Sequence, residues 1–325
     1  MRAIRQHRFG GPDELVLEEV PDLVPETGQV RITVRAAGVH LLDTMLREGG
    51  SGPYGVSELP MTPGREAAGT IDLVADDVDR TWIGRHVVVH LGAASGGYAS
   101  QVVAPVGTVI PLSDGLDAAD AVAMVGTGRT ALGILEEAEL DADDVILITA
   151  AAGGLGTLLV QAAAAAGCTV VGAAGGGAKL ELARSMGASI VADYLRDDWA
   201  DTVRTALGER RVTVTLDGVG GTIGRAAFEL IEPGGRMVLF GYTAGAPMPL
   251  ESADLFARGV AVSAAIGPRL FARPGGIQRL AELAVERLET GAWSPVVDQF
   301  PLADAAGAHR ALSDRRTTGK VVLIP

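Results

Sequence analysis

The run Val145-Ile146-Leu147-Ile148-Thr149-Ala150 passes without a break into Ala151-Ala152-Gly153-Gly154-Leu155-Gly156, and then into the helix-forming stretch 157–166. A short apolar run of this kind reads as a strand buried on both faces, and the small residues after it as a turn that opens directly into a helix. Few folds need those three pieces in that order. The first N–H groups of such a helix have no intrahelical partner, and together with the helix dipole they face a place where a pyrophosphate can sit. Strand, turn and helix therefore predict a dinucleotide-binding turn with contacts at Ala151, Gly153, Gly154, Leu155 and Gly156. An ordinary tight turn is the plain alternative.

The surrounding pattern predicts an α/β fold with a doubly wound parallel sheet. Strand-like runs at 145–150, 169–173, 190–192, 212–216, 237–240 and 260–265 alternate with Ala- and Leu-rich helical runs, which argues for a parallel sheet covered by helices. Residues before about 117 read differently, as short β-rich runs such as Val30-Arg31-Ile32-Thr33-Val34 and His86-Val87-Val88-Val89-His90, separated by Gly and Pro. The tail returns to strand-like pieces, ending in Val321-Val322-Leu323-Ile324. Two domains are expected: residues 1–117 with 286–325 as a β-rich domain, and 118–285 as the dinucleotide-binding domain.

Composition narrows the partners. A formal net charge of −13 with no segregated basic patch argues against nucleic acid. No apolar run approaches the roughly 20 residues needed to span a bilayer, and the start Met1-Arg2-Ala3-Ile4-Arg5 lacks a signal-peptide core; a soluble, cytoplasmic protein is expected. The single cysteine, Cys168, excludes an internal disulfide and a structural zinc built from several cysteines of this chain, and a buried structural thiol is its simplest reading. Only Lys179 and Lys320 are lysine among 27 basic residues. Such an arginine bias follows from a GC-rich genome, and a position that stays lysine against it points to a need for a compact ammonium.

The second strand decides which dinucleotide fits. Sites for the non-phosphorylated coenzyme usually place an acid at its end to bond the ribose 2′-hydroxyl. Here the chain reads Gly175-Gly176-Gly177-Ala178-Lys179 after the strand, without Asp or Glu, and Lys179 would attract a 2′-phosphate. NADPH is expected; the alternative leaves Lys179 a solvated residue of the next helix.

Further segments carry a resemblance: Gly38-Val39-His40-Leu41-Leu42-Asp43, Pro63-Gly64-Arg65-Glu66-Ala67-Ala68-Gly69, Gly96-Gly97-Tyr98-Ala99, Ala192-Asp193-Tyr194, Asp217-Gly218-Val219-Gly220-Gly221 and Gly234-Gly235-Arg236-Met237-Val238-Leu239-Phe240-Gly241. In this order the chain resembles the zinc-independent quinone oxidoreductases, including the zeta-crystallins, of the medium-chain dehydrogenase/reductases. The resemblance implies a GroES-like catalytic domain beside the Rossmann domain. It places 2′-phosphate contacts at Lys179 and Tyr194 with Arg315 as a third, and at Gly176, where the family often has Ser. It also sets Phe240 and Gly241 beside the nicotinamide, Thr130 in the same cleft and Lys320 near the cofactor. Zinc-dependent relatives carry a His-Glu pair where Arg65-Glu66 stands here, and the matching cysteine positions are empty. His86 and His90 do not substitute, since four residues of strand span roughly 13 Å. A metal-free site is expected.

Without a Lewis acid, an acceptor that spreads the incoming charge over a π system suits the site best, so a quinone or an activated alkene is the expected hydride sink. His40, Asp43, Tyr54 and Thr130 are the candidate pocket residues. His40 stands where the family usually has Asn. It is either a titrating donor or a packed histidine held by backbone, and Asp43 either lines the pocket or holds its own loop. Enoyl or enone reduction, and an NADPH-binding role that is structural or regulatory, are the alternatives to quinone reduction. The apolar run Gly259-Val260-Ala261-Val262-Ser263-Ala264-Ala265 near the expected sheet edge predicts a homodimer joined there.

Overall fold

Short alternating runs early in the chain fold as predominantly antiparallel strands because one face of each is apolar. The structure, a computed structural model, describes residues 1–50, 55 and 58–325. In chain order it begins with β1 (Arg2–Arg5), β2 (Val16–Glu19), β3 (Gln29–Val39), helix α1 (Leu41–Arg47), β4 (Glu66–Val74), β5 (His86–His90), β6 (Gln101–Pro105), β7 (Ile110–Pro111) and α2 (Ala118–Ala123). The Asp117 side chain starts α2 by accepting from the N–H groups of Ala119 and Asp120.

After a π-helical segment, Met124–Gly128, the pattern switches to alternation of helix and strand: α3 (Arg129–Ala138), β8 (Val145–Thr149), α4 (Gly154–Ala165), β9 (Thr169–Ala174), α5 (Gly177–Ser185), β10 (Ile190–Asp193), α6 (Trp199–Leu207), β11 (Val212–Asp217), α7 (Gly221–Leu230), β12 (Ile231–Leu239), α8 (Ser252–Arg258) and β13 (Ala261–Ala264). The chain closes with α9 (Pro268–Phe271), α10 (Gly276–Glu289), β14 (Val297–Pro301), α11 (Ala305–Ser313) and β15 (Lys320–Ile324). No helix among the described residues is long and apolar enough to cross a membrane.

Two compact units result, Met1–Gly128 with Ala281–Pro325, and Arg129–Leu280. Residues 118–128, which the sequence pattern groups with the second region, fall in the first. In the first unit the sheet runs β14-β15-β3-β4-β5-β7, with β6 also paired to β3 and β1-β2 as a separate pair. The C-terminal β15 lies antiparallel to β3, Val322 opposite Gly38, which brings Lys320 to the His40 end of β3. Ile4, Val30, Ile32, Val87 and Tyr98 are among the side chains that fill its core.

The second unit holds a six-stranded sheet in the order β10-β9-β8-β11-β12-β13, with every neighbouring pair parallel. This is the doubly wound sheet that the sequence predicts. β12 begins at Ile231 rather than near Met237, where a register shift against β11 accommodates Pro233 to Gly235. β8 is buried along its whole length, as its unbroken apolar run requires. Strand order reverses between β8 and β11, so the crevice at their carboxyl ends is where such a sheet binds a ligand.

Candidate functional site

The second unit places the turn between β8 and α4 at that crevice. β8 ends at Thr149, and Ala150 takes a positive φ of 50°, a conformation rare for a side chain with Cβ, to start the turn. The amides of Ala151 and Gly153 are engaged inside the protein, on Ala173 O and Ala150 O. Those of Gly154, Leu155 and Gly156 precede the first bond of α4, Thr157 N to Gly153 O, and no side chain caps the helix. A Cβ at Gly156 would overlap the Ala150 carbonyl, so only glycine lets the helix pass this close to the strand. Of the five expected contacts, Gly154, Leu155 and Gly156 are thus the ones whose amides precede the first bond of the helix.

The β9–α5 loop lies at the end of the neighbouring strand. Gly176, with φ +87°, caps α5 in a conformation that side chains rarely adopt, which favours glycine there. Lys179 is in the first turn of α5, and the Tyr194 ring lies against Gly175. The structure adds a residue that reading the loop alone missed. Asp193, the last residue of β10, accepts from the N–H groups of Gly176 (3.2 Å) and Leu195 (3.1 Å). The loop has no acid of its own, but the parallel pairing of β10 with β9 delivers one to it.

Phe240 and Gly241 follow β12, and the Phe240 ring packs on Gly218 so closely that a Cβ there would overlap it. Thr130 is the second residue of α3 in this unit.

In the first unit His40, Glu66 and Lys320 converge. Glu66 is fully buried; its Oε1 is 2.7 Å from His40 Nε2 and its Oε2 is 2.7 Å from Lys320 Nζ. Neither contact has the alignment of a well-formed hydrogen bond, so both act chiefly through charge. Burial alone would push the Glu66 carboxyl up, but the charges of His40 and Lys320 outweigh it and hold the group well below the usual carboxylate range. Lys320 Nζ also lies 3.0 Å from His40 Nε2. Cβ atoms at Gly38 and Gly126 would overlap the Glu66 carboxylate, and glycine at both positions leaves room for it. Lys320, expected near the cofactor, is committed here to Glu66 and His40.

Asp43 serves the same corner. Its Oδ2 accepts from His40 N (2.9 Å), starting α1, and from Tyr98 Oη (2.8 Å). Behind it, Tyr98 Oη is 3.1 Å from His309 Nε2, and His309 Nδ1 is 3.1 Å from Arg47 Nη1. Arg47 can only donate, so His309 accepts at Nδ1, carries its proton on Nε2 and gives it to Tyr98, whose own proton goes to Asp43. Burial, with Arg47 adding to it and Asp43 opposing, lowers the His309 pKa to about 4. Burial and the Asp43 charge raise that of Tyr98 well above its ordinary value. Tyr98 and His309 were not among the expected site residues; Gly96-Gly97-Tyr98 was visible only as part of a resemblance. Arg315, exposed and with φ 56°, follows α11 in this unit, and Tyr54 lies outside the described residues.

Residues 26–114 match the family model for an alcohol dehydrogenase GroES-like domain, and residues 154–286 that for a zinc-binding dehydrogenase. A 2-haloacrylate reductase of a Burkholderia species is 31% identical over 98% of this chain and 97% of its own length. A quinone oxidoreductase of Pseudomonas aeruginosa is also 31% identical, over 98% and 97%. Among solved structures, an Escherichia coli quinone oxidoreductase complexed with NADPH superimposes with a TM-score of 0.88 at 27% identity, each chain fully covered.

The zinc in the second family's description finds no matching donor set. Arg65 stands beside Glu66, whose carboxylate is taken by Lys320 and His40, and among the described residues no three His, Cys, Asp or Glu side chains come together to hold a metal. Relatives of this similarity along nearly the whole length place the chain in the zeta-crystallin-like quinone oxidoreductase family of the medium-chain dehydrogenase/reductases.

Proposed function

We propose that this chain is an NADPH-dependent reductase that transfers a hydride to a quinone. The observation that carries the reading is the uncapped start of α4 at the point where strand order reverses, in a chain alike over its full length to a quinone oxidoreductase whose structure holds NADPH. The residues fit that cofactor. Gly154, Leu155 and Gly156 would offer amides to the pyrophosphate, and Gly176, Lys179 and Tyr194 would hold the adenosine ribose phosphate. NADPH, when bound, supplies the hydride from its nicotinamide ring. Phe240, Gly241 and Thr130 would hold that ring.

His40 is the proton donor in this reading. Its Nε2 faces both the Glu66 carboxylate and Lys320 Nζ, and the ring, protonated beside that carboxylate, gives a proton to an oxygen or carbon that has received the hydride and returns to neutral imidazole. Asp43 acts through His40, fixing the start of α1. The donor set around Glu66 does not make a zinc site, so charge on the acceptor is met by hydrogen bonds, which suits a conjugated acceptor. Activated alkenes form a second reading, favoured by the full-length likeness to a 2-haloacrylate reductase.

The same reading includes a homodimer. β13 is an edge strand, and Phe256 on the adjoining α8 is 91% exposed, as expected of surfaces that pair with a second copy. Val262→Lys on β13 should give a monomer in sedimentation; an unchanged sedimentation coefficient, or a monomeric parent chain, removes the interface.

Nicotinamide absorbance followed against panels of quinones, enones and 2-enoyl thioesters tests the activity. Turnover with quinones exceeding that with the other classes supports the primary reading, and turnover confined to enones or thioesters replaces it with the second. Consumption by none of them refutes both.

A further inference from the structure

Asp217 closes β11 at the crevice where strand order reverses, and it is fully buried. Each of its side-chain partners donates. Oδ1 accepts from Thr149 Oγ1 (2.6 Å) and Val219 N (3.0 Å), and Oδ2 accepts from Gly220 N (3.0 Å). The Thr149 hydroxyl, its proton given to Asp217, accepts in turn from Gly218 N (3.0 Å). The Asp217 main-chain carbonyl accepts from Phe240 N (2.8 Å). A Cβ on Gly224 would lie 2.6 Å from Oδ2, so glycine there lets α7 run against the carboxylate.

These bonds join two pieces of chain that the topology makes neighbours but the sequence keeps far apart. Thr149 immediately precedes the strained Ala150 and the turn that opens α4. The Gly218–Gly220 turn is the floor on which the Phe240 ring and Gly241 pack, close enough that Cβ atoms at Gly218 and Gly241 would crowd ring and carbonyl. A dinucleotide laid across this crevice has its pyrophosphate at the first piece and its nicotinamide beside the second.

We infer that Asp217 is a positioning residue for the cofactor, setting the separation between the pyrophosphate-binding turn and the Phe240–Gly241 segment so that one dinucleotide reaches both. This rests on the NADPH reading above. Asn cannot replace the carboxylate, because its amide nitrogen would face backbone N–H donors or the Thr149 hydroxyl. Thr149→Val keeps the branched shape suited to a strand but leaves Gly218 N without its acceptor and Oδ1 with one donor fewer.

The test compares two ligands by direct binding, NADPH and 2′,5′-ADP, which carries the adenosine phosphates but lacks the nicotinamide half. Asp217→Asn and Thr149→Val should each weaken NADPH about tenfold, the loss of one buried hydrogen bond to a charged group, and leave 2′,5′-ADP within about twofold. Thr149→Val decides if Asp217→Asn does not fold. Unchanged NADPH affinity in the variant, or equal losses for both ligands, overturns the positioning role. Failure of the unmodified protein to bind NADPH would instead overturn the cofactor reading, and this inference with it.

Discussion

His309 gives the fold a pH dependence that can be worked from its surroundings. It is buried with no exposed surface, receives Arg47 at Nδ1 and donates to Tyr98, and its pKa is lowered to about 4 from 6.5. Between those values the unfolded chain binds a proton that the native state refuses, because a second ring proton would point at the Arg47 guanidinium. Stability from this group is therefore complete above about pH 6.5, falls by up to about 1.4 kcal/mol per unit as pH drops, and levels off near pH 4. By about pH 5 the loss is about 2 kcal/mol. His309→Gln retains an acceptor for Arg47 and a donor for Tyr98 but cannot titrate. Denaturant unfolding of both forms from about pH 8 to pH 5 isolates the histidine, since the remaining ionisable groups cancel in the difference. The parent should lose about 2 kcal/mol more than the variant over that range. A difference independent of pH would refute the assignment of His309 as a neutral, donor-fed ring.

Three further outcomes are expected. His40→Asn should change the pH profile of quinone turnover and leave NADPH affinity nearly intact; identical profiles remove His40 from proton transfer. Lys320→Met strands the buried Glu66 carboxylate beside His40 alone and should cost about 3–5 kcal/mol in denaturant unfolding, whereas a loss under about 1 kcal/mol would show that the pair contributes little. Asp193→Asn removes the acid that β10 brings to Gly176 and should raise the preference for NADPH over NADH about fivefold, the effect of one partly screened charge of about 1 kcal/mol. An unchanged ratio of dissociation constants would show that Asp193 only anchors the loop.

The second unit was legible because its signals are local. An apolar strand, small residues and a helix-forming run are contiguous, and a buried parallel strand carries its character in every residue, so the sheet and its strand–turn–helix could be read before any contact was known. Gly156 is a case in which the residue type names its own reason. What could not be read depends on pairing across the sheet. Asp193 reaches the β9–α5 loop only because β10 lies beside β9, and Asp217 meets Thr149 only because β11 lies beside β8. In the first unit Lys320 stood out as one of two lysines, but its partner was set by β15 pairing with β3, which draws it to Glu66. Tyr98 and His309 are separated from Asp43 by long stretches of chain, and nothing in the local sequence of either announces the bond between them.

The central claim is that a hydride passes from NADPH held at the α4 turn to a quinone. A single-turnover mix of the NADPH-loaded enzyme with a quinone, repeated with the coenzyme deuterated on each face of C4 in turn, tests it directly. Nicotinamide absorbance should fall as the reduced acceptor forms, with slowing for one labelled face and not the other. Stable absorbance after mixing, or decay that neither label slows while quinone binding and release are fast, would contradict it.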